Sequence, residues 1–340
     1  MGLDQPKAVR AGEELDLDLL ARCLETVGLR GPIEVQQFPR GFSNLTYLLR
    51  VDGTELVLRR PPVGSTVKSA HDMEREYRIL AAIHPRFGRV PRPIGYFPEG
   101  PLYLMERVPG VILRDGAAPL EPSVMRTLSE ATVDNLADIH RIDTKGLESL
   151  GRGEGYVERQ VKGWADRYQK ARTDDVPELE RAITWLAEHL PAQAGSVLIH
   201  NDYKYDNLVL NPERLSDIRA VLDWEMATIG DPLMDLGTTL GYWMQADDPP
   251  AFRQLPFTLT SSAGNLTRAE VVERYAKRSG RPVDQPAFYY TFGLFKVAVI
   301  AQQIYYRFRQ GLTQDERFAM LGMAVKLLGQ QAWHTCQTGL

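Results

Sequence analysis

Two stretches carry residues whose types and spacing could do chemistry. The first, VLIHNDYKYDN, holds His200, Asp202 and Asn207; the second, VLDWEMATIGDPLMDL, holds Asp223 and Glu225. Each follows an apolar run, residues 197–199 and 220–222, so each predicted strand delivers carboxylate or amide oxygens into a polar loop. Two strands that end this way bring several oxygen ligands to one point. Oxygen donors suit Mg2+, a hard cation usually held by one or two protein groups together with substrate phosphates.

The rest of the chain must position those loops. With 340 residues, 44% of them apolar, there is enough material for a sizeable core or for two lobes. A formal charge of −4 gives no basic field for nucleic acid. Cys23 and Cys336 lie far apart in no metal-binding motif, which fits a reducing compartment. The N-terminal residues lack an apolar signal core and no uncharged run reaches membrane-span length, so a cytoplasmic location without membrane attachment is expected.

In chain order, Leu15, Leu19, Leu20 and Leu24 mark a helical face within 13–29. Alternating runs near 45–51 and 55–59 flank Asp52-Gly53, a strong hairpin signal, with Gly41, Ser43 and Asn44 just ahead. Arg59 ends the second run, and Met73, Tyr77, Leu80 and Ala81 mark the following helix, which carries Glu74 and Glu76. Pro-rich turns bracket a strand at 102–105 that leads to Pro109-Gly110, after which composition turns from strand-rich to helix-rich. A helix over 121–140 closes on His140, read as a structural end residue. GRGEGY at 151–156 has no strand before it and is no dinucleotide loop. The segment 156–173 interleaves Arg159, Lys162, Arg167, Lys170 and Arg172 with Trp164 and Tyr168: either a solvated basic face or an anion site. A further helix spans 177–190, and Asp231 and Asp235 cap and brace a helix beginning near Pro232. The last third reads as mostly helical, with a Pro-rich loop carrying Trp243 and an apolar helix over 291–311 that is interrupted by Lys296.

The spacing His-x-Asp-x-x-x-x-Asn at 200–207, the second acidic strand end at Asp223 and the upstream order hairpin, helix, hinge resemble the aminoglycoside phosphotransferase and choline kinase superfamily, relatives of the protein kinases. The resemblance covers nearly the whole chain and is strongest to the kinase-like domain associated with acyl-CoA dehydrogenases, a branch implicated in phosphorylating 4-hydroxyacyl-CoA. It implies an α+β, two-lobed, protein-kinase-like fold. An N-terminal lobe of residues 1–106 would hold an antiparallel sheet and a helix, with the 13–29 helix leading it. A mostly helical catalytic lobe would take 107–340.

The same resemblance implies ATP as co-substrate and Mg2+ as cofactor. Asp202 would be the catalytic base and Lys204 would touch the transferred phosphate; Asn207 and Asp223 would hold the metal. Ser43 and Asn44 would lie over the phosphates. Arg59 stands where protein kinases carry Lys and would pair with Glu76, Glu74 being the rival. Met105 would back the adenine pocket, with the backbone of Glu106 and Val108 at the adenine edge. On the acceptor side, Arg159, Trp164 and Tyr168 would take coenzyme A phosphates and adenine, Trp243 would form part of the acceptor wall, and Glu225 would meet metal or substrate.

The expected activity is phosphoryl transfer from ATP to the hydroxyl of a small-molecule alcohol, a hydroxyacyl-CoA first among them. A functional link to an acyl-CoA dehydrogenase goes with that reading. An aminoglycoside or other amino-alcohol is the alternative acceptor, and a nucleotide-binding pseudokinase scaffold the alternative from another class. Lys204 and the net basic 156–173 segment speak against a polycationic antibiotic. The intact Asp202, Asn207 and Asp223 speak against a scaffold.

Overall fold

Asp52 and Gly53 both take positive φ, 49° and 70°, the geometry that lets two residues turn a twisted hairpin. The computed structural model describes residues 5–39, 44–62, 72–114, 117–118, 120–255, 258–313 and 315–340. The turn joins β2 (Leu45–Val51) to β3 (Thr54–Arg60) in a register running from Val51 opposite Thr54 to Leu45 opposite Arg60. After α1 (Leu17–Thr26), β1 (Ile33–Gln37) extends this hairpin; beyond α2 (Met73–Ile83), β4 (Pro93–Phe97) and β5 (Leu102–Glu106) complete an antiparallel sheet in the order β1-β2-β3-β5-β4.

Side chains alternate across these strands. Tyr47, Leu49, Leu56, Leu58, Leu102 and Leu104 form one face and pack on Leu20, Cys23 and Leu24 of α1. Arg59, one residue on from Leu58, therefore points to the other face, where it meets α2. That meeting changes the buried face of α2. Met73, Glu76, Ile79, Leu80 and Ile83 are buried, whereas Ala81 is exposed and Tyr77 half-buried against Tyr96 and Tyr103. An apolar-only reading of the helix misses this face because Glu76 is part of it.

The chain divides into two compact units, Met1–Leu113 with Asp206–Met226, and Arg114–Tyr205 with Ala227–Leu340. The boundary falls after Leu113 rather than at the single cut expected after residue 106, and the chain returns to the first unit over residues 206–226. The hairpin β7 (Leu208–Asn211) and β8 (Arg214–Val221) belongs to the first unit, tied in by paired Val111–Leu210 backbone bonds of 2.9 and 2.8 Å and by Val221 N–H on Arg89 O.

The second unit holds α3 (Pro122–Ile139), α4 (Tyr156–Ala171), α5 (Pro177–Glu188), the short pair β6 (Val197–Ile199) and β9 (Thr228–Gly230), α6 (Pro232–Gly241), α7 (Arg268–Ser279), α8 (Pro286–Arg309) and α9 (Leu321–Thr338). Every residue of α6 is buried, and α8 is buried on all sides from Phe288 to Val299. They cross at Gly237, Gly241 and Gly293. A Cβ on Gly293 would overlap the Gly237 carbonyl oxygen, and one on Gly241 would lie 2.6 Å from the Gly293 carbonyl carbon. Among the described residues, no helix is long and apolar enough to cross a membrane.

Candidate active site

In the first unit, β3 and α2 bring a guanidinium into a cluster of carboxylates. Arg59 Nη1 lies 2.5 Å from Glu76 Oε1 and 3.2 Å from Asp223 Oδ1, and Nη2 lies 3.7 Å from Glu225 Oε2. Glu76, not Glu74, is the partner; among the described residues Glu74 reaches Arg78 on the helix surface. Burial pushes the Glu76 carboxyl up to about 7 against the pull of Arg59. For Arg59 burial would lower the guanidinium pKa, and the Glu76 and Asp223 carboxylates more than reverse that. Asn44 Nδ2 donates to Glu225 Oε2 at 2.9 Å, and Arg75 Nη1 to the Glu225 carbonyl at 2.6 Å. Ser43 lies outside the described residues.

Asp223, two residues past the end of β8, has φ 63°, in the left-handed region that Asp tolerates better than most residues. Its side chain is 32% exposed while Asn207 is buried, and the Leu222 amide donates to the Asn207 carbonyl at 2.8 Å. Both offer hard oxygen donors, the chemistry that suits Mg2+. Among the described residues no three or more His, Cys, Asp or Glu gather as a metal cluster, and magnesium needs none. Met105 is buried in β5, and the Glu106 amide donates to Arg92 O at 2.9 Å. Val108 follows in the extended link.

In the second unit, β6 delivers His200, Asn201 and Asp202. Asp202 is partly exposed, 16% at its side chain, and Lys204 Nζ lies 3.0 and 2.9 Å from its two oxygens. Burial alone would raise this carboxyl; Lys204, with His200 and the Tyr242 hydroxyl, outweighs it and holds the pKa below the ordinary value. The Lys204 ammonium also sits 4.5 Å above the Tyr242 ring.

Beneath the loop lies a buried polar scaffold. Asp235 accepts the amides of His200 and Asn201, both at 2.7 Å, and the Nε2–H of His140 at 3.0 Å. With Nε2 donating, His140 Nδ1 is the acceptor for the Tyr275 hydroxyl at 2.6 Å. Asp235 therefore braces the loop rather than its own helix. Asp231 makes the cap, accepting from Leu233 and Met234, and its other oxygen takes the Ala194 amide at 2.6 Å. His140 is a buried bridge and not merely a helix end.

The expected acceptor-side residues separate. Tyr168 has no exposed surface and belongs to the core of α4, so it does not face a ligand. Arg159 turns its guanidinium back onto the carbonyls of Arg152 and Glu154. Trp243 is buried, with Nε1–H on Leu266 O at 2.7 Å, and braces the loop from within. Trp164 is buried too, with the Arg167 guanidinium 4.6 Å and the Lys296 ammonium 5.6 Å from its ring centroid. The amphipathic pattern puts the α4 aromatics inward and most of its cations outward, which a mixed list of residues conceals.

Asn201 and Tyr242 escaped the sequence reading, and Lys296 entered it only as an interruption of an apolar helix. A single lysine inside the apolar run GLFKVAVIA was the available signal for the last.

Residues 34–272 match the phosphotransferase enzyme family, APH. The chain belongs to this family. The phosphotransferase is 35% identical over 348 residues to acyl-CoA dehydrogenase family member 10 of Mus musculus, covering 98% of this chain and 32% of that protein. It thus spans about a third of that curated relative's length. A candidate aminoglycoside phosphotransferase of Ralstonia eutropha JMP134 superposes with a TM-score of 0.80 at 28% identity, covering 95% of this chain and 99% of that one. Aminoglycoside phosphotransferase APH(4)-Ia, in a ternary complex with AMP-PNP and hygromycin B, shares the fold with a TM-score of 0.62 at 17% identity, over 94% and 99% of the two chains. The fold is the two-lobed, α+β, kinase-like one.

Proposed function

We propose that the phosphotransferase moves the γ-phosphoryl group of ATP to the hydroxyl of a hydroxyacyl-CoA, with Asp202 as the base. The observation that carries this is the Asp202 carboxylate, partly exposed, held ionised by Lys204 and mounted on a loop pinned through its amides. A carboxylate has about four lone-pair sites. It can therefore keep Lys204 and still accept a hydrogen bond from an acceptor hydroxyl. As the acceptor oxygen bonds to phosphorus, its O–H bond and the β–γ bridging P–O bond break; the proton goes to Asp202 and the electron pair to ADP. A carboxylate of lowered pKa is a weak base, which suits a reaction that depends mainly on positioning and charge stabilisation.

Asn207 and Asp223 would hold Mg2+, which when bound neutralises phosphate charge. Arg59, braced by Glu76, would set the direction of the Asp223 carboxylate, and its permanent charge and planar fork suit phosphate as well as carboxylate. Asn44 would lie at the phosphates. Met105 would back the base. Because the Glu106 amide is already engaged, any contact of adenine with that residue would use its carbonyl, with Val108 contributing its amide.

The choice of acceptor rests on charge and on a name. Lys204 neutralises Asp202 and the Arg167 guanidinium lies over Trp164, so this wall offers little net negative charge to a polycationic acceptor. The name of the mouse relative brings acyl-CoA chemistry, and with it a functional link to a dehydrogenase. ATP consumption with Mg2+ over 4-hydroxyvaleryl-CoA, the free hydroxy acid, choline and kanamycin tests both halves. Turnover confined to the CoA ester and lost in Asp202→Asn is the expected result. Turnover with kanamycin instead would move the chain to antibiotic acceptors, and turnover unaffected by Asp202→Asn would remove the base assignment.

A further inference from the structure

Lys296 stands between Phe295 and Val297 in the part of α8 that is buried on all sides. An ammonium there needs acceptors for its three protons. Its Nζ lies 2.7 Å from Asn201 O, 3.2 Å from Asn201 Oδ1 and 3.3 Å from Thr238 Oγ1. The bonded oxygens are thus a carbonyl, an amide and a hydroxyl: the lysine grips a loop rather than closing an ion pair. Burial pulls its pKa from 10.5 to about 8; the carboxylates of Asp235 and Asp202 oppose that, and Lys204 and Arg167 reinforce it.

The residue it grips is unusual. Asn201 has φ 68° and immediately precedes Asp202. Its amide is held by Asp235, and its side chain pairs with the Tyr156 hydroxyl, Nδ2 donating at 3.1 Å. The Asn201 carbonyl and the Asp202 amide belong to one planar peptide unit. Lys296 binds the carbonyl end, and His200 Nδ1 accepts the amide end at 3.2 Å. Rotation of this plane is what would swing the Asp202 side chain away from its direction.

We propose that Lys296 is a positioning residue for phosphoryl transfer. Its ammonium locks the Asn201–Asp202 peptide plane, keeps Asn201 left-handed and so aims the Asp202 carboxylate at the acceptor hydroxyl. This rests on Asp202 as the base. A packing role alone would be filled by Met, which has similar length and no ammonium to desolvate.

The test compares wild type, Lys296→Met, Lys296→Met with Asn201→Gly, and Asp202→Asn. Steady-state kcat and KM are measured with Mg2+, ATP and 4-hydroxyvaleryl-CoA, and ATP hydrolysis without acceptor is followed in parallel as a second readout of the same carboxylate. Lys296→Met is expected to melt cooperatively, keep its KM for ATP and lose about 100-fold in kcat, the scale of a misplacement near 1 Å. Asn201→Gly is expected to return part of that loss, because Gly adopts positive φ without a tether; a packing defect in α8 would not respond to it. Should Lys296→Met fail to fold, Lys296→Gln keeps one donor for the Asn201 carbonyl and is expected to fall between wild type and the Asp202→Asn floor. The inference is overturned if folded Lys296→Met, or failing it Lys296→Gln, turns over like wild type, or if Asn201→Gly restores nothing. Full activity in Asp202→Asn would instead fault the base assignment, so the two failures are distinguishable.

Discussion

Asp202 and Asp223 both sit at strand ends beside or in left-handed backbone, yet they are held by different physics. The Asp202 loop is pinned from below by buried hydrogen bonds to its backbone: Asp235 on two amides, Lys296 on a carbonyl and His200 on the Asp202 amide itself. Asp223 is a third exposed and is held through its side chain by the charge of Arg59, which it shares with Glu76 and Glu225. Buried hydrogen bonds have one satisfied arrangement, and leaving one unmade costs the full desolvation of its partner. Arg59 and Glu76 are buried, but a carboxylate with a third of its side chain open to solvent can exchange one cationic partner for another at lower cost. The comparison teaches that one carboxylate is built to stay put, whereas the other can pass from a guanidinium to a cation.

The largest effect expected is chemical. Asp202→Asn would remove the proposed proton acceptor while its loop scaffold stays, so kcat should fall about 10²–10⁴-fold with the melting temperature nearly unchanged. Single-turnover ATP consumption beside thermal melts checks this. A large stability loss would mean that the side chain, and not the backbone scaffold, holds the loop.

Next comes the scaffold. Asp235→Ala strands two buried amides and the His140 N–H, and should cost about 3 kcal/mol or more in denaturant unfolding while also lowering kcat. Asp235→Asn, which keeps an acceptor, should cost less. Equal, small losses for both would erase the contrast with Asp223.

On the other side of the comparison, Arg59→Met should act first on nucleotide and metal use. KM for ATP should rise about tenfold or more, the scale of one charge-assisted hydrogen bond. The stability loss should be smaller than that of Asp235→Ala, because Glu76, already pushed up to about 7, can take a proton when its partner goes. An Mg2+ titration of both variants separates the effects: the apparent magnesium requirement should move in Arg59→Met and stay in Asp235→Ala.

The smallest effect is a pH slope. Lys296 has a folded pKa of about 8 against an ordinary 10.5. Between those values the unfolded chain binds a proton that the folded chain does not, so this group's contribution to stability is flat below about pH 8 and rises as pH climbs toward 10.5. Buried tyrosines pull the other way above pH 10, since burial raises their folded pKa above 10. Denaturation midpoints from about pH 8 to pH 10 should therefore climb more steeply, or fall less, in wild type than in Lys296→Met. Parallel curves would mean that burial does not lower the Lys296 pKa in the folded chain.

Much of the frame was legible because it is local. Asp52-Gly53 between alternating runs gives the hairpin, and the hairpin register places Arg59 one residue past Leu58 on the opposite face. Pro232 after Asp231 gives the start and cap of α6. Tyr168 misled for an equally local reason. A helix that alternates aromatic and basic residues looks the same as a list whether its aromatics face a ligand or a core.

The sequence by itself determined the order of elements, the acidic ends of two strands and the basic residue opposite an acidic helix, since each follows from period, turn chemistry or spacing within about ten residues. Only the tertiary structure decided which acid Arg59 takes, that Asp235 serves a loop 34 residues earlier, and that Lys296 reaches 95 residues back to Asn201. Those choices depend on which buried donors and acceptors come within about 3 Å of one another once the helices have packed. Chain proximity says nothing about that.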